Sequence, residues 1–212
     1  LAAASTGWNE RRVRAEGKDV RVIHLHPSSH AGYYPGAAQL HMKMIVDAES
    51  DAILGAQIVG EEGVDKRIDV IATAMRAGLS ATDLADLELA YAPQFGSAKD
   101  PINFAGFIND NIARGEKTVQ WHELDERLAS GALLVDVRSP EEFASGAIPG
   151  AVNIPLDELR VRHEEIADHD DVIVHCQVGL RGHNAARLLT NLGYDVANLD
   201  GGYLTWTNGQ ED

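Results

Sequence analysis

Along residues 38–46 apolar and polar positions alternate. Ala38, Leu40, Met42, Met44 and Val46 fall on one side, and Gln39, His41 and Lys43 on the other. A period of two is that of a half-buried strand. A turn at Glu49-Ser-Asp51 leads into Ile53 to Val59, which predicts the partner of an antiparallel hairpin, and Val20 to Leu25 reads as a further strand. At residue 64 the period changes. Ile68, Ile71, Ala72 and Met75 recur at helical spacing, predicting a helix from Val64 to Ala77 that stops at Gly78. Asn9 is placed to cap a short charged helix running to Ala15, ended by Gly17. Ser80 and Asp83 stand at capping-box spacing, and Pro101 suits the first turn of a helix reaching Arg114. Residues 24–36, rich in Gly, Pro and Ser, read as a loop.

Gly115 to Thr118 is a short charged join, which sets domain boundaries at 1–114 and 115–212. Beyond it, Trp121 to Ala129 predicts a helix with Leu124 and Leu128 facing inward. Val172 to Val174 reads as a buried strand. A helical pattern from Gly182 carries Ala185, Leu188, Leu189 and Leu192. Between strand and helix lies the loop Gln177-Val178-Gly179-Leu180-Arg181, preceded by Cys176, the one cysteine in 212 residues.

That length is enough for two modest cores, and no apolar run is long enough to cross a bilayer as a helix. The net charge is −15 and unevenly spread. Residues 1–114 hold 11 Lys and Arg against 15 Asp and Glu, or −4; residues 115–212 hold 7 against 18, or −11. Such a surface disfavours nucleic acid and anionic membranes as partners. A single cysteine rules out an internal disulfide, a Cys-x-x-Cys redox pair and a cysteine-rich zinc site. A reducing, cytoplasmic compartment is expected. The opening Leu1-Ala-Ala-Ala-Ser-Thr-Gly7 lacks the basic region and apolar core of a signal peptide, and reads as part of a longer chain.

A thiol between a strand's end and a helix's start sits where backbone N–H groups converge and the helix dipole is positive. Such a nest favours the thiolate, the nucleophilic form. The pattern Cys176-x-x-Gly179-x-Arg181 at this position resembles the active-site loop of the rhodanese sulfurtransferases. Leu133-Leu-Val-Asp-Val-Arg138, Glu141-Glu-Phe143, Gly146-Ala-Ile-Pro-Gly-Ala-Val-Asn-Ile-Pro155 and Leu199-Asp-Gly-Gly-Tyr-Leu-Thr-Trp206 look like the family's other signatures, in its order. Ala147 departs from the pattern, because many relatives carry histidine there. The resemblance implies an α/β domain, a parallel sheet flanked by helices. It also implies that Cys176 takes sulfane sulfur from a donor as a persulfide and passes it to a thiol or cyanide. Amides from Gln177 to Gly182 would stabilise the charge that develops, and no general base is required; His175 and His183 flank the loop without being aimed at the sulfur by sequence alone. Arg181 either holds the loop in shape or faces an anionic donor. For Asp136, Arg138 and Glu142, loop support through an Arg138–Glu142 ion pair is favoured over substrate contact. The related fold of the cell-cycle cysteine phosphatases offers a rival reading, but their loop is longer than the four residues between Cys176 and Arg181. A non-catalytic interaction module is the other alternative.

His30-Ala-Gly-Tyr-Tyr-Pro-Gly36, residues 62–74 and Tyr91-Ala-Pro-Gln-Phe-Gly-Ser-Ala-Lys-Asp-Pro-Ile-Asn103 look like a second family. It is the dimerisation domain of the pyridine nucleotide–disulfide oxidoreductases, closest to the coenzyme A–disulfide reductases and related NADH oxidases, some of which end in a rhodanese domain. The resemblance implies an α+β domain built on an antiparallel sheet, a homodimer, and a parent reductase using FAD, NAD(P)H and coenzyme A. Coenzyme A persulfide would then be a natural sulfur source. No cofactor is expected in this chain itself, since it has no Gly-x-Gly-x-x-Gly fingerprint. By the same resemblance Tyr91 and Tyr33, or its neighbour Tyr34, would reach across the dimer to the partner's reducing site. His24, His26 and His30 read as loop residues and not as a metal site, because no carboxylate or thiolate accompanies them at zinc-site spacing.

The acidity of the second half opposes a thiolate, but most surface carboxylates lie beyond the Debye length of about 8 Å while the loop amides are adjacent. Iodoacetamide is therefore expected to alkylate Cys176 rapidly near neutral pH in folded protein. A rate that rises only where free cysteine ionises would contradict the nest argument.

Overall fold

The computed structural model describes residues 1–210. The chain divides into two compact units, Leu1–Gly115 and a second beginning at Glu116. Within the first, strands β1 (Ala2–Gly7), β2 (Val20–Leu25), β3 (Leu40–Asp47) and β4 (Ile53–Gly60) form an antiparallel sheet in the order β1-β4-β3-β2. The β3–β4 hairpin turns where the Asp47 carboxylate accepts hydrogen bonds from the Ser50 amide and hydroxyl. The alternation expected along β3 is present: Leu40, Met42 and Met44 are buried, His41 and Lys43 partly exposed. The strand starts two residues later than the pattern predicts, and Ile45 breaks the alternation at an irregularity in register.

Against the buried face pack helices α2 (Val64–Ala77) and α3 (Pro101–Ala113), through Ile68, Ile71, Ile102 and Ala105. Helix α1 (Glu10–Ala15) is capped by the Asn9 side chain, which accepts from the Arg12 amide. Ser80 and Asp83 do exchange capping bonds, yet the segment they open, Thr82–Asp86, is a 3-10 turn. Strand β1 has no counterpart in the sequence reading. Its Ala, Ser and Thr residues carry no hydrophobic period, and pairing with β4 alone makes it a strand.

A buried ion pair fixes the ends of the two long helices. Arg67 of α2 donates from Nη2 to Asp100 Oδ2 at 2.8 Å and to the Ser29 carbonyl at 2.6 Å. Asp100 in turn caps α3, accepting from the Ile102 amide at 3.1 Å.

The second unit holds a parallel sheet in the order β5-β9-β8-β6-β7, with β5 Lys117–Val119, β6 Leu133–Asp136, β7 Val152–Asn153, β8 Val172–His175 and β9 Val196–Leu199. Its helices are α4 (Leu124–Ala129), α5 (Pro140–Ala144), α6 (Leu156–Arg162), α7 (Leu180–Asn191) and α8 (Gly202–Gly209). Val172 and Val174 enter one core with Leu159 and Leu189; Ile173 enters the other with Leu124 and Leu199. Cover on both faces is why β8 reads as an unbroken apolar run. The antiparallel unit followed by the parallel one is the expected fold class. Lys117 and Thr118, read as part of the join, open the edge strand Lys117–Val119, too short and too polar to register as one.

Removing one partner of a buried ion pair leaves the other charge uncompensated, at roughly 3–5 kcal/mol. Asp100→Ala is therefore expected to destabilise the first unit by about that much. Hydrogen exchange of the α2 and α3 amides in the full chain should accelerate strongly, while the second unit's amides keep their protection. Unchanged exchange in both helices would contradict this role for the pair.

Candidate functional site

In a parallel sheet the strands' carboxyl ends deliver their loops to one edge, where such folds form their sites. Here β6 delivers Asp136 and Arg138, β8 delivers Cys176, and β9 delivers the turn Asp200–Gly202 into α8. Cys176 is 1% exposed. Its sulfur accepts a hydrogen bond from the Gly179 amide at 3.2 Å. Gly179 has a φ of 100°, a backbone that side-chain-bearing residues rarely adopt, and this lets the chain turn from strand to helix within three residues. Helix α7 consequently begins at Leu180, two residues before the expected Gly182, and the Gly179 carbonyl accepts from the His183 amide at 2.8 Å. Leu180, Arg181 and Gly182 thus belong to the first helical turn, whose N–H groups have no intrahelical acceptor. The open loop is only Gln177, Val178 and Gly179.

The loop's carbonyls are met from α8. Tyr203 donates its amide to the Cys176 carbonyl at 2.8 Å, and Leu204 donates to that of Gln177 at 3.0 Å. Contact is so close that a Cβ on Gly202 would collide with the Cys176 carbonyl oxygen. The Gly-Gly-Tyr of the closing segment is therefore a rest for the cysteine loop. In the sequence alone this segment is legible only as a family signature.

The expected Arg138–Glu142 ion pair is not formed. Arg138, 2% exposed, closes on Asp136, with Nη2 to Oδ2 at 2.7 Å and Nε to both carboxylate oxygens. It also donates to Gln177 Oε1 at 3.1 Å and to the Gly146 carbonyl at 2.7 Å, and its guanidinium lies 4.2 Å from the centre of the Tyr203 ring. Glu142 pairs instead with Arg181, in two bonds of 2.7 and 2.6 Å. The exchange has a local cause. Asp136 is the carboxylate buried beside Arg138. Glu142 is held in a capping box with Ser139, accepting from the Ser139 amide at 2.9 Å, and from there reaches α7. The Arg181 bonds hold the Glu142 carboxyl down at about 2, and the same pairing raises Arg181. Proximity to Cys176 adds to the rise on Arg181.

Neither flanking histidine is aimed at the sulfur by the bonds it makes. His175 is fully buried, and burial lowers its pKa to about 4 against the opposing pull of Asp136, so it is neutral at neutral pH. His183 pairs with Glu116 at 2.7 Å.

In the first unit the hydroxyls of Tyr33 and Tyr91 lie 3.2 Å apart, on side chains of residues 76% and 55% exposed. That bond raises the pKa of Tyr33. Tyr34 turns away and sets its ring edge-on to buried His30. His26 meets His41, Nδ1 to Nδ1 at 3.0 Å, and burial lowers His26 to about 3. Among the described residues no group of three or more side chains is arranged to hold a metal ion, and no helix is long and apolar enough to cross a membrane.

Two family descriptions match the chain: the pyridine nucleotide-disulphide oxidoreductase dimerisation domain over residues 1–100, and the rhodanese-like domain over residues 120–209. A coenzyme A disulfide reductase from Staphylococcus aureus is 43% identical over 89 residues, 42% of this chain and 20% of the relative. Among solved structures, the reduced CoADR-RHD of Bacillus anthracis superposes with a TM-score of 0.94 at 49% identity. A NAD-dependent persulfide reductase from A. fulgidus does so at 0.86 and 36% identity. Both superpositions cover 96% of this chain and 37% of the other. The chain thus spans about a fifth of the curated relative it matches and just over a third of each solved one. It joins a pyridine nucleotide-disulphide oxidoreductase dimerisation domain to a rhodanese-like domain, and is similar along nearly its whole length to a CoADR-RHD and to a persulfide reductase.

Proposed function

We propose that the second unit is a sulfurtransferase in which Cys176 carries sulfane sulfur. The observation that supports this most is the placement of the sulfur: it accepts from the Gly179 amide at the mouth of α7, with Arg181 close by. In the reaction the Cys176 thiolate attacks the outer sulfur of the donor. A new S–S bond forms, the donor's own S–S bond breaks, and its electron pair leaves on sulfite or on a thiolate. The resulting persulfide is then attacked by an acceptor thiol or by cyanide, which returns Cys176 as thiolate. Developing charge would be met by the amides of Gly179, Leu180, Arg181 and Gly182, with the Arg181 guanidinium offsetting the Glu142 carboxylate beside them. Asp136, Arg138 and Gln177 support the loop from beneath.

The first unit, in this reading, forms a homodimer and serves a reduction of coenzyme A disulfide or persulfide by the longer protein, with FAD and NAD(P)H held by parts beyond these two units. Neither unit carries the glycine-rich turn a dinucleotide needs. Tyr33 and Tyr91, exposed and hydroxyl to hydroxyl, are the residues that would act across the dimer. Coenzyme A persulfide is then the donor that the two units would share.

The purified chain is expected to transfer sulfur from thiosulfate to cyanide. Cys176→Ser should abolish the transfer. Arg181→Ala should lower kcat/KM by about tenfold, since it leaves the Glu142 carboxylate unopposed near the sulfur. Undiminished turnover in the serine variant would end the assignment, because the sequence has no other cysteine.

For the first unit, sedimentation at micromolar concentration should give a dimer, and a monomer would contradict the assembly.

A further inference from the structure

Beside Cys176 the loop's cation is already paired with a carboxylate. The segment Gln177–Gly182 contains one cation, Arg181, and each of its terminal nitrogens donates a bond to Glu142, at 2.7 and 2.6 Å, so its charge is offset while it stays near Cys176. Arg138 beneath the loop is closed on Asp136 and turned toward Gln177. His175 is held neutral by burial. What the loop and first helical turn offer outward is largely apolar: Val178 is partly exposed and Leu180 is 58% exposed. Cys176 itself is 1% exposed, so a donor must present a slim terminal sulfur to reach it.

We propose that Glu142 is a specificity-determining residue: by neutralising Arg181 it withholds the loop's one cation from anionic donors and favours organic persulfides whose sulfur is borne on an uncharged arm. The inference rests on the sulfurtransferase reading of Cys176. Both donor classes react by the same balanced step. The thiolate bonds to the outer sulfur, and the donor's S–S bond breaks with its electron pair on the departing group. The classes differ in what departs. Thiosulfate releases sulfite, a compact dianion formed beside Arg181, whose charge Glu142 offsets. A persulfide releases a thiolate, with a single charge on a narrow arm. Arg181 and Glu142 are each about one-third exposed, so solvent screens the difference and one unit charge is worth about tenfold rather than more.

Glu142→Gln tests this directly. Gln can still accept from the Ser139 amide, which keeps the helix cap while removing the charge. Rates of Cys176-dependent transfer are compared for thiosulfate and for N-acetylcysteamine persulfide in both proteins. The ratio of kcat/KM for thiosulfate to that for the persulfide should rise about tenfold in Glu142→Gln. A ratio that stays constant or falls overturns the role of Glu142, including the case in which both donors accelerate alike through a more reactive thiolate. A second comparison needs no variant. The unmodified protein should prefer N-acetylcysteamine persulfide over 2-sulfonatoethyl persulfide, which places a charge on a similar arm, and equal kcat/KM values would contradict the proposal. Absence of transfer with every donor would instead refute the sulfurtransferase reading, so the two failures are distinguishable.

Discussion

A guanidinium removed from water must be met on all its N–H faces, and in the second unit Arg138 is met from four directions. Asp136 supplies the counter-charge from the end of β6, and Gln177 supplies an acceptor from the cysteine loop. The Gly146 carbonyl supplies a third contact and the Tyr203 ring of α8 a fourth. Loss of Asp136 would leave an uncompensated buried charge, which is far costlier than loss of a surface pair. The network therefore holds β6, the cysteine loop and α8 in one register. Cys176 inherits its position from that register, and α8 completes it by donating its first amides to the loop. The first unit uses the same device, with Arg67 and Asp100 locking α2 to the cap of α3.

That economy has a chemical consequence. In the proposed transfer, a loop that presents the Gly179 amide to the sulfur needs no flanking base, and the bonds of both neighbouring histidines go elsewhere. Charge in the site is instead set by the Arg181–Glu142 pair, the more exposed of the two ion pairs beside the loop. Structural support and reactivity are thus divided between a buried pair and a half-exposed one.

Much of this was legible in the sequence, because the relevant signals are local. The strand–Cys–Gly–helix succession placed Cys176 at the strand's end, the period-two run placed β3, and the apolar spacing from Val64 placed α2 to its last residue. What was not legible depends on partners distant in sequence. Arg138 has carboxylates two and four residues away, at Asp136 and Glu142, and spacing alone does not say which becomes buried beside it. The start of α7 depends on the left-handed turn at Gly179, which a two-residue difference in reading conceals. Strand β1 exists through its pairing with β4, and the closing Gly-Gly-Tyr matters through its contact with the Cys176 carbonyl. Tyr33 and Tyr34 look alike in sequence, and only the fold sets one against Tyr91 and the other against His30.

Whether sulfur resides on Cys176 decides what the second unit does. Full-length folded protein would be exposed to a sulfane donor, trapped with iodoacetamide and digested, and the peptide carrying Cys176 weighed. The prediction is a mass increase of one sulfur atom on that residue, lost again when cyanide is added before trapping. A Cys176 peptide that never gains sulfur, in protein whose folded state is confirmed by circular dichroism, would contradict it.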